Sequence, residues 1–214
     1  MTKNLLIVCM LGSFLVGLIF EQSASADFID FTSSGTFGDA VDDQESGTFE
    51  TGIAGLSLTI SSISSTSLGT PNADAGNTQF GVDSTGSGSG SDASTAFDSS
   101  LNEAITLSFN QAATINAVTF AINGSGAFNL GETFSFAGES IQGDGATSVF
   151  TFASPISLFA NEDFSLSATS GRVGFVGMQV TAVPDPSSLT LAVMGGIGIL
   201  ARRRCRCASI VKES

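Results

Sequence analysis

From Leu56 onward, apolar and small polar residues alternate in one short run after another. Leu56, Leu58 and Ile60 fall on one side of such a run, with Ser57, Thr59 and Ser61 on the other. Ile105, Leu107 and Phe109 alternate with Thr106 and Ser108. Ile115 and Ala117 open a run that continues as Val118, Phe120 and Ile122, so the phase slips by one residue, as a β-bulge requires. Shorter runs carry Phe134 and Phe136, Phe150 and Phe152, Ile156 and Leu158, and Phe164 and Leu166. A last run carries Val173 and Phe175, then Val176, Met178 and Val180. Period two, bounded by Gly, Ser, Asn and Asp, marks strands with one buried face. No helical stripe of comparable length is present. About eight or more strands with no helices between them predict an all-β chain, an antiparallel β-sandwich with a jelly roll as the expected arrangement. The stretch from Ser84 to Ala96, STGSGSGSDASTA, has no apolar anchor and reads as a flexible loop within that domain. A domain boundary there is disfavoured, because residues 27–83 are too poor in apolar side chains to fold alone.

The two ends of the chain break this pattern. Lys3 is followed by an apolar run from Leu5 to Phe20 and then by Glu21-Gln22-Ser23-Ala24-Ser25-Ala26. A basic start, an apolar core and small residues at Ala24 and Ala26 describe a cleavable secretory signal, with cleavage before Asp27. The plainer alternative is an uncleaved N-terminal anchor. Cys9 lies inside the apolar run and reads as one more apolar residue. At the other end, Val183-Pro184-Asp185-Pro186 precedes an apolar stretch from Leu189 to Ala201 and the cluster Arg202, Arg203, Arg204 and Arg206. The prolines favour an extended, unpaired segment that a protease can grip. The apolar stretch predicts one short transmembrane helix, ~20 Å long at 1.5 Å per residue against a hydrocarbon core of ~30 Å. Arginines snorkel, the bilayer thins, and positive charge stays inside, so the tail is cytoplasmic and the main domain outside.

That order of elements, a proline-acid-proline motif, a Gly-rich apolar helix and an arginine cluster at the C-terminus, resembles a PEP-CTERM sorting signal. The resemblance covers Val183 to Arg206, roughly a tenth of the chain. It departs from the family pattern in having Asp185 in place of Glu and a tail that runs on from Cys207 to Ser214. The resemblance implies recognition and cleavage by exosortase, an integral membrane cysteine protease, in bacteria that make exopolysaccharide. It also implies an N-terminal signal peptide and a variable outer domain. A weak ordinary membrane anchor is the alternative. The outer domain shares a looser likeness with the same family through Gly81-Val82, Asp98, Glu103 and Ile105–Phe109, which carries no activity. The expected organisation is therefore a signal peptide (1–26), an acidic outer domain (27–183), a sorting signal (184–206) and a cytoplasmic tail (207–214). The protein is expected at the inner membrane before processing, and then in the cell envelope, at the surface or in the extracellular matrix.

Charge sharpens the picture of the outer domain. Between Asp27 and Val183 there are 17 acidic residues and one basic residue, Arg172, a balance of −16. Such a surface repels nucleic acid and anionic lipid, so no nucleic-acid partner is expected. The same stretch has no His, Lys, Cys, Trp or Tyr. Ser-His, Ser-Lys and cysteine nucleophile arrangements are thus excluded within it, and no catalytic residue is assigned. A carboxylate pair for glycoside hydrolysis remains formally open, but acids on loops usually just face water. Only oxygen ligands exist for a metal, which suits a structural Ca²⁺ ion. The acid-rich stretches Asp39–Glu45 and Asn72–Asn77 are candidates, although neither completes an EF-hand loop. Asp92, Asp98 and Glu103, flanking a strand start, form the candidate metal set. A non-enzymatic surface or matrix protein is the first reading. The alternative is a glycan-binding module associated with exopolysaccharide, which would have to rely on Phe where Trp or Tyr is usual.

Overall fold

The computed structural model describes residues 26–67, 69–84, 95–124 and 126–183. Among these the chain is all-β apart from one short helix, α1 (Thr36–Val41), and a single 3₁₀ turn, Ser99–Leu101. The strands are β1 (Asp27–Asp30), β2 (Gly47–Glu50), β3 (Ser57–Ser64), β4 (Asn72–Ala75), β5 (Phe80–Asp83), β6 (Phe97–Asp98) and β7 (Ala104–Phe109). They continue as β8 (Ala113–Phe120), β9 (Thr133–Phe136), β10 (Glu139–Gln142), β11 (Val149–Leu158), β12 (Asp163–Ser170), β13 (Arg172–Val173) and β14 (Phe175–Ala182). Every pairing among them is antiparallel. One sheet runs β11-β8-β14-β5-β4, with β1 also on β14. The other runs β10-β9-β12-β7-β3-β2, and β13 pairs with β6 as a two-stranded ribbon.

The strands form where side chains alternate between the core and water. In β7, Ile105, Leu107 and Phe109 are fully buried, and in β9 so are Phe134 and Phe136. Both sheets feed one hydrophobic cluster. Phe175 of β14 lies near its middle, with ring centroids 5.0 Å from Phe31, 5.8 Å from Phe120, 6.1 Å from Phe134 and 6.0 Å from Phe136. Edge-to-face contacts such as Phe31–Phe175 set the positive ring edge against the negative ring face, which adds to plain burial.

The bulge predicted in the run from Ile115 is present. Gln179 pairs with Ala117 and Val180 with Ile115, leaving Asn116 as the extra residue. Both Ala117 and Val118 are consequently buried. Three features depart from the sequence expectation. Ile122 lies beyond the end of β8 and is 40% exposed. The Phe150–Phe152 and Ile156–Leu158 runs belong to one strand, β11, whose register shifts between Thr151 and Ile156. Helix α1 interrupts a region expected to hold no helix. Phe37 and Val41, four apart, put one helical face into the core, and Gly38 sits so close to the Thr32 carbonyl that no Cβ would fit.

No helix among the described residues is long and apolar enough to cross a membrane. The predicted transmembrane stretch 189–201, Ala24, Pro184, Asp185, Pro186 and the arginines of the membrane stop lie outside the described residues. The described residues all fall in one compact unit ending at Val183, whose amide donates to the Ala112 carbonyl at 2.9 Å.

Candidate functional site

A cleft of about 480 Å³ is lined by Asp27, Phe28, Asp30, Ser34, Thr36 and Thr51, among others. Strand β1 supplies its floor. Ile29 is buried and Phe31, just beyond the strand, packs in the core, which leaves Phe28 on the other side of the ribbon, 44% exposed. The Phe28 ring lies directly over Gly177 of β14, where a Cβ would collide with it. A glycine there leaves room for the ring to approach the backbone.

The wall is set by hydrogen bonds. Asp30 Oδ1 accepts from Thr32 N at 2.9 Å and from Thr32 Oγ1 at 2.8 Å, and Thr32 Oγ1 also meets Ser34 Oγ at 2.7 Å. Gly35 abuts Asp30 so closely that no side chain fits, which brings Ser34 and Thr36 onto the rim. Thr51 is buried and occupied structurally, donating to Leu56 O at 2.7 Å and accepting from Ile53 N at 3.2 Å. What faces outward is one aromatic face, the carboxylate of Asp27, part of Asp30, and the hydroxyls of Ser34 and Thr36. That set can stack on and hydrogen-bond a polyhydroxylated ligand. It contains no His, Lys or Cys.

A shallower depression of about 380 Å³ is lined by Thr106, Leu158, Glu162, Asp163, Phe164 and Ser165, among others. Glu162 Oε2 accepts from Phe159 N at 2.7 Å, so this carboxylate holds its own turn.

Of the candidate metal set, Asp92 lies outside the described residues. Asp98 and Glu103 are brought together, but as a brace. Asp98 N donates to Glu103 Oε2 at 2.6 Å and Glu103 N to Asp98 O at 3.3 Å. Asp98 Oδ1 meanwhile caps the 3₁₀ turn, accepting from Ser100 N at 2.8 Å and Ser100 Oγ at 2.6 Å. Glu103 is fully buried. These contacts fasten β6 to the start of β7. Among the described residues, no three acidic side chains stand close enough to clasp a metal ion unaided. Ala26, the last residue before the expected signal cleavage, is exposed.

Sequence reading missed the cleft. Its one local signal was Phe28, an aromatic out of phase with the core pair Ile29 and Phe31. Gly177 and the Thr51 loop join it only through the fold.

No protein-family model, no curated protein and no solved structure matches this chain.

Proposed function

We propose that this is an exported, non-enzymatic cell-surface or extracellular-matrix protein, sorted through its C-terminal signal and cut by an exosortase-type protease. The observation that carries it is the sequence of Val183 to Arg206, in which a Pro-Asp-Pro motif, a short apolar stretch and four arginines stand in sorting order. The outer domain is then an antiparallel β-sandwich of the jelly-roll kind. Two six-stranded sheets contributing to one core support that arrangement. The non-enzymatic reading is supported by the outward side chains of the β3-β7-β12-β9 region, where Thr59, Thr106, Ser165 and Ser135 alternate with the core residues. Such a face presents mostly hydroxyls, with the Asp163 carboxylate at its edge and no His, Lys or Cys beside them. Fractionation of the native cells tests the sorting. The protein should leave the inner membrane for the envelope or medium when the sorting protease is active and stay in the membrane fraction when it is deleted. An unchanged distribution would refute it.

The second reading, a glycan-binding module that reaches exopolysaccharide by the same route, is favoured by one observation, the Phe28 cleft. Phe28→Ala should abolish retention on the host's own exopolysaccharide while leaving the melting curve nearly unchanged. Equal retention of variant and wild type would remove this reading and leave the first.

A further inference from the structure

The turn after α1 and the β4–β5 hairpin gather five oxygen-bearing side chains at one edge of the first sheet. Ala73, Ala75, Phe80 and Val82 belong to the core, so Asn72, Asp74 and Asp83 share the opposite face of the hairpin. Residues 42–44 run along the open edge of β4. Asp43 N donates to Ala73 O at 2.9 Å, Ala73 N to Gln44 O at 2.9 Å, and Ala75 N to Asp42 Oδ1 at 2.9 Å. The two acid-rich stretches that the sequence offered separately, Asp39–Glu45 and Asn72–Asn77, are therefore neighbours. Burial, then the charges of Asp42, Asp83 and Asp43, push the Asp74 carboxyl up to about 6.

A cluster of acids is by itself only a charged surface. The decisive member is Asn72, which is 4% exposed. Its Nδ2 donates to Asp43 Oδ1 at 3.2 Å, while its Oδ1 is buried with no hydrogen-bond partner. A partnerless amide oxygen inside a protein is unfavourable and calls for an explanation. Here that oxygen belongs to the side chain held between Asp43 and the cross-strand Asp83. An amide oxygen amid carboxylates is the donor chemistry of a hard divalent cation, which takes six to eight oxygen ligands and accepts waters among them.

We propose that this face is a divalent-cation site of the calcium type, with Asn72 Oδ1, Asp43, Asp74 and Asp83 as its protein ligands. Asp42 adds charge while it holds the Ala75 amide. Because the acidic side chains alone do not converge to metal-holding distance, the amide oxygen completes the set and the carboxylates draw in around the ion. The site is separate from the Asp98–Glu103 brace and does not depend on how the chain is sorted.

Isothermal titration of Ca²⁺ into the full-length chain in mild detergent, at constant ionic strength, tests it. Wild type and a remote control, Glu139→Gln on β10, should each show one saturable site. Asp74→Asn and Asn72→Ala should bind at least tenfold more weakly, with circular dichroism reporting that each is folded. If Asn72→Ala fails to fold, the half-exposed Asp74→Asn decides alone. No saturable binding in wild type, or variants within twofold of wild type, would overturn the proposal.

Discussion

Asp74 titrates near pH 6, well above the ordinary value of 3.8, first through burial and then through the carboxylates of Asp42, Asp83 and Asp43. A raised acid binds its proton more tightly in the folded chain than in the unfolded one. Its ionisation therefore opposes folding above about pH 6, and the penalty is relieved as pH falls toward 3.8. With a chelator present, Asp74→Asn should stabilise the protein at pH 7.5 by on the order of 1 kcal/mol, since solvent screens a half-exposed site. The gain should vanish by about pH 4, where wild-type Asp74 is itself neutral. Urea denaturation at the two pH values checks both the sign and its loss. Asp144 shows the opposite environment. Hydrogen bonds from the Thr147 hydroxyl and amide and from the Ala146 amide lower it to about 2, so it stays charged through any such titration.

Among the elements, the strands with long apolar alternation were legible and the small ones were not. Strands β7, β9, β12 and β14 announce themselves through Ile, Leu, Phe, Met and Val at every second position. Strand β4 is Asn-Ala-Asp-Ala, and its core contribution is two methyl groups, so it reads as an acidic loop until its pairing with β5 is known. The same pairing hides the Asn72–Asp83 contact, which joins residues from different parts of the sequence. Helix α1 is too short to show a periodic stripe, and only Phe37 and Val41 mark its buried face. The core is where element packing can be tested. Phe175 touches rings from both sheets, and Phe175→Ala should cost about 3–5 kcal/mol, read as a lowered urea midpoint with an unchanged slope. A loss below about 1 kcal/mol would mean that the two sheets do not share this core. On the sheet edge, Pro155 sits in the exposed part of β11, where the register shifts and a ladder donor is missing. Pro155→Thr should raise the aggregation rate measured by light scattering at equal stability.

At the scale of the whole molecule, charge is divided between the ends and the middle. The 17 acids and one base between Asp27 and Val183 repel one another, while four arginines gather between Arg202 and Arg206. An outer domain of that kind should gain melting temperature with NaCl up to a few tenths molar, because screening weakens self-repulsion. A melting temperature independent of salt would contradict this. The arginine cluster cannot enter the bilayer cheaply, and the apolar stretch before it is short for a permanent span. On the proposed sorting route, these two features hold the chain at the membrane long enough to be cut beside Pro184-Asp185-Pro186. Intact-mass analysis of the protein from its native host tests that account most directly. The predicted mature chain begins at Asp27 and ends near Pro184–Pro186, without the arginines. A mature chain still ending at Ser214 in cells with an active sorting protease would contradict it.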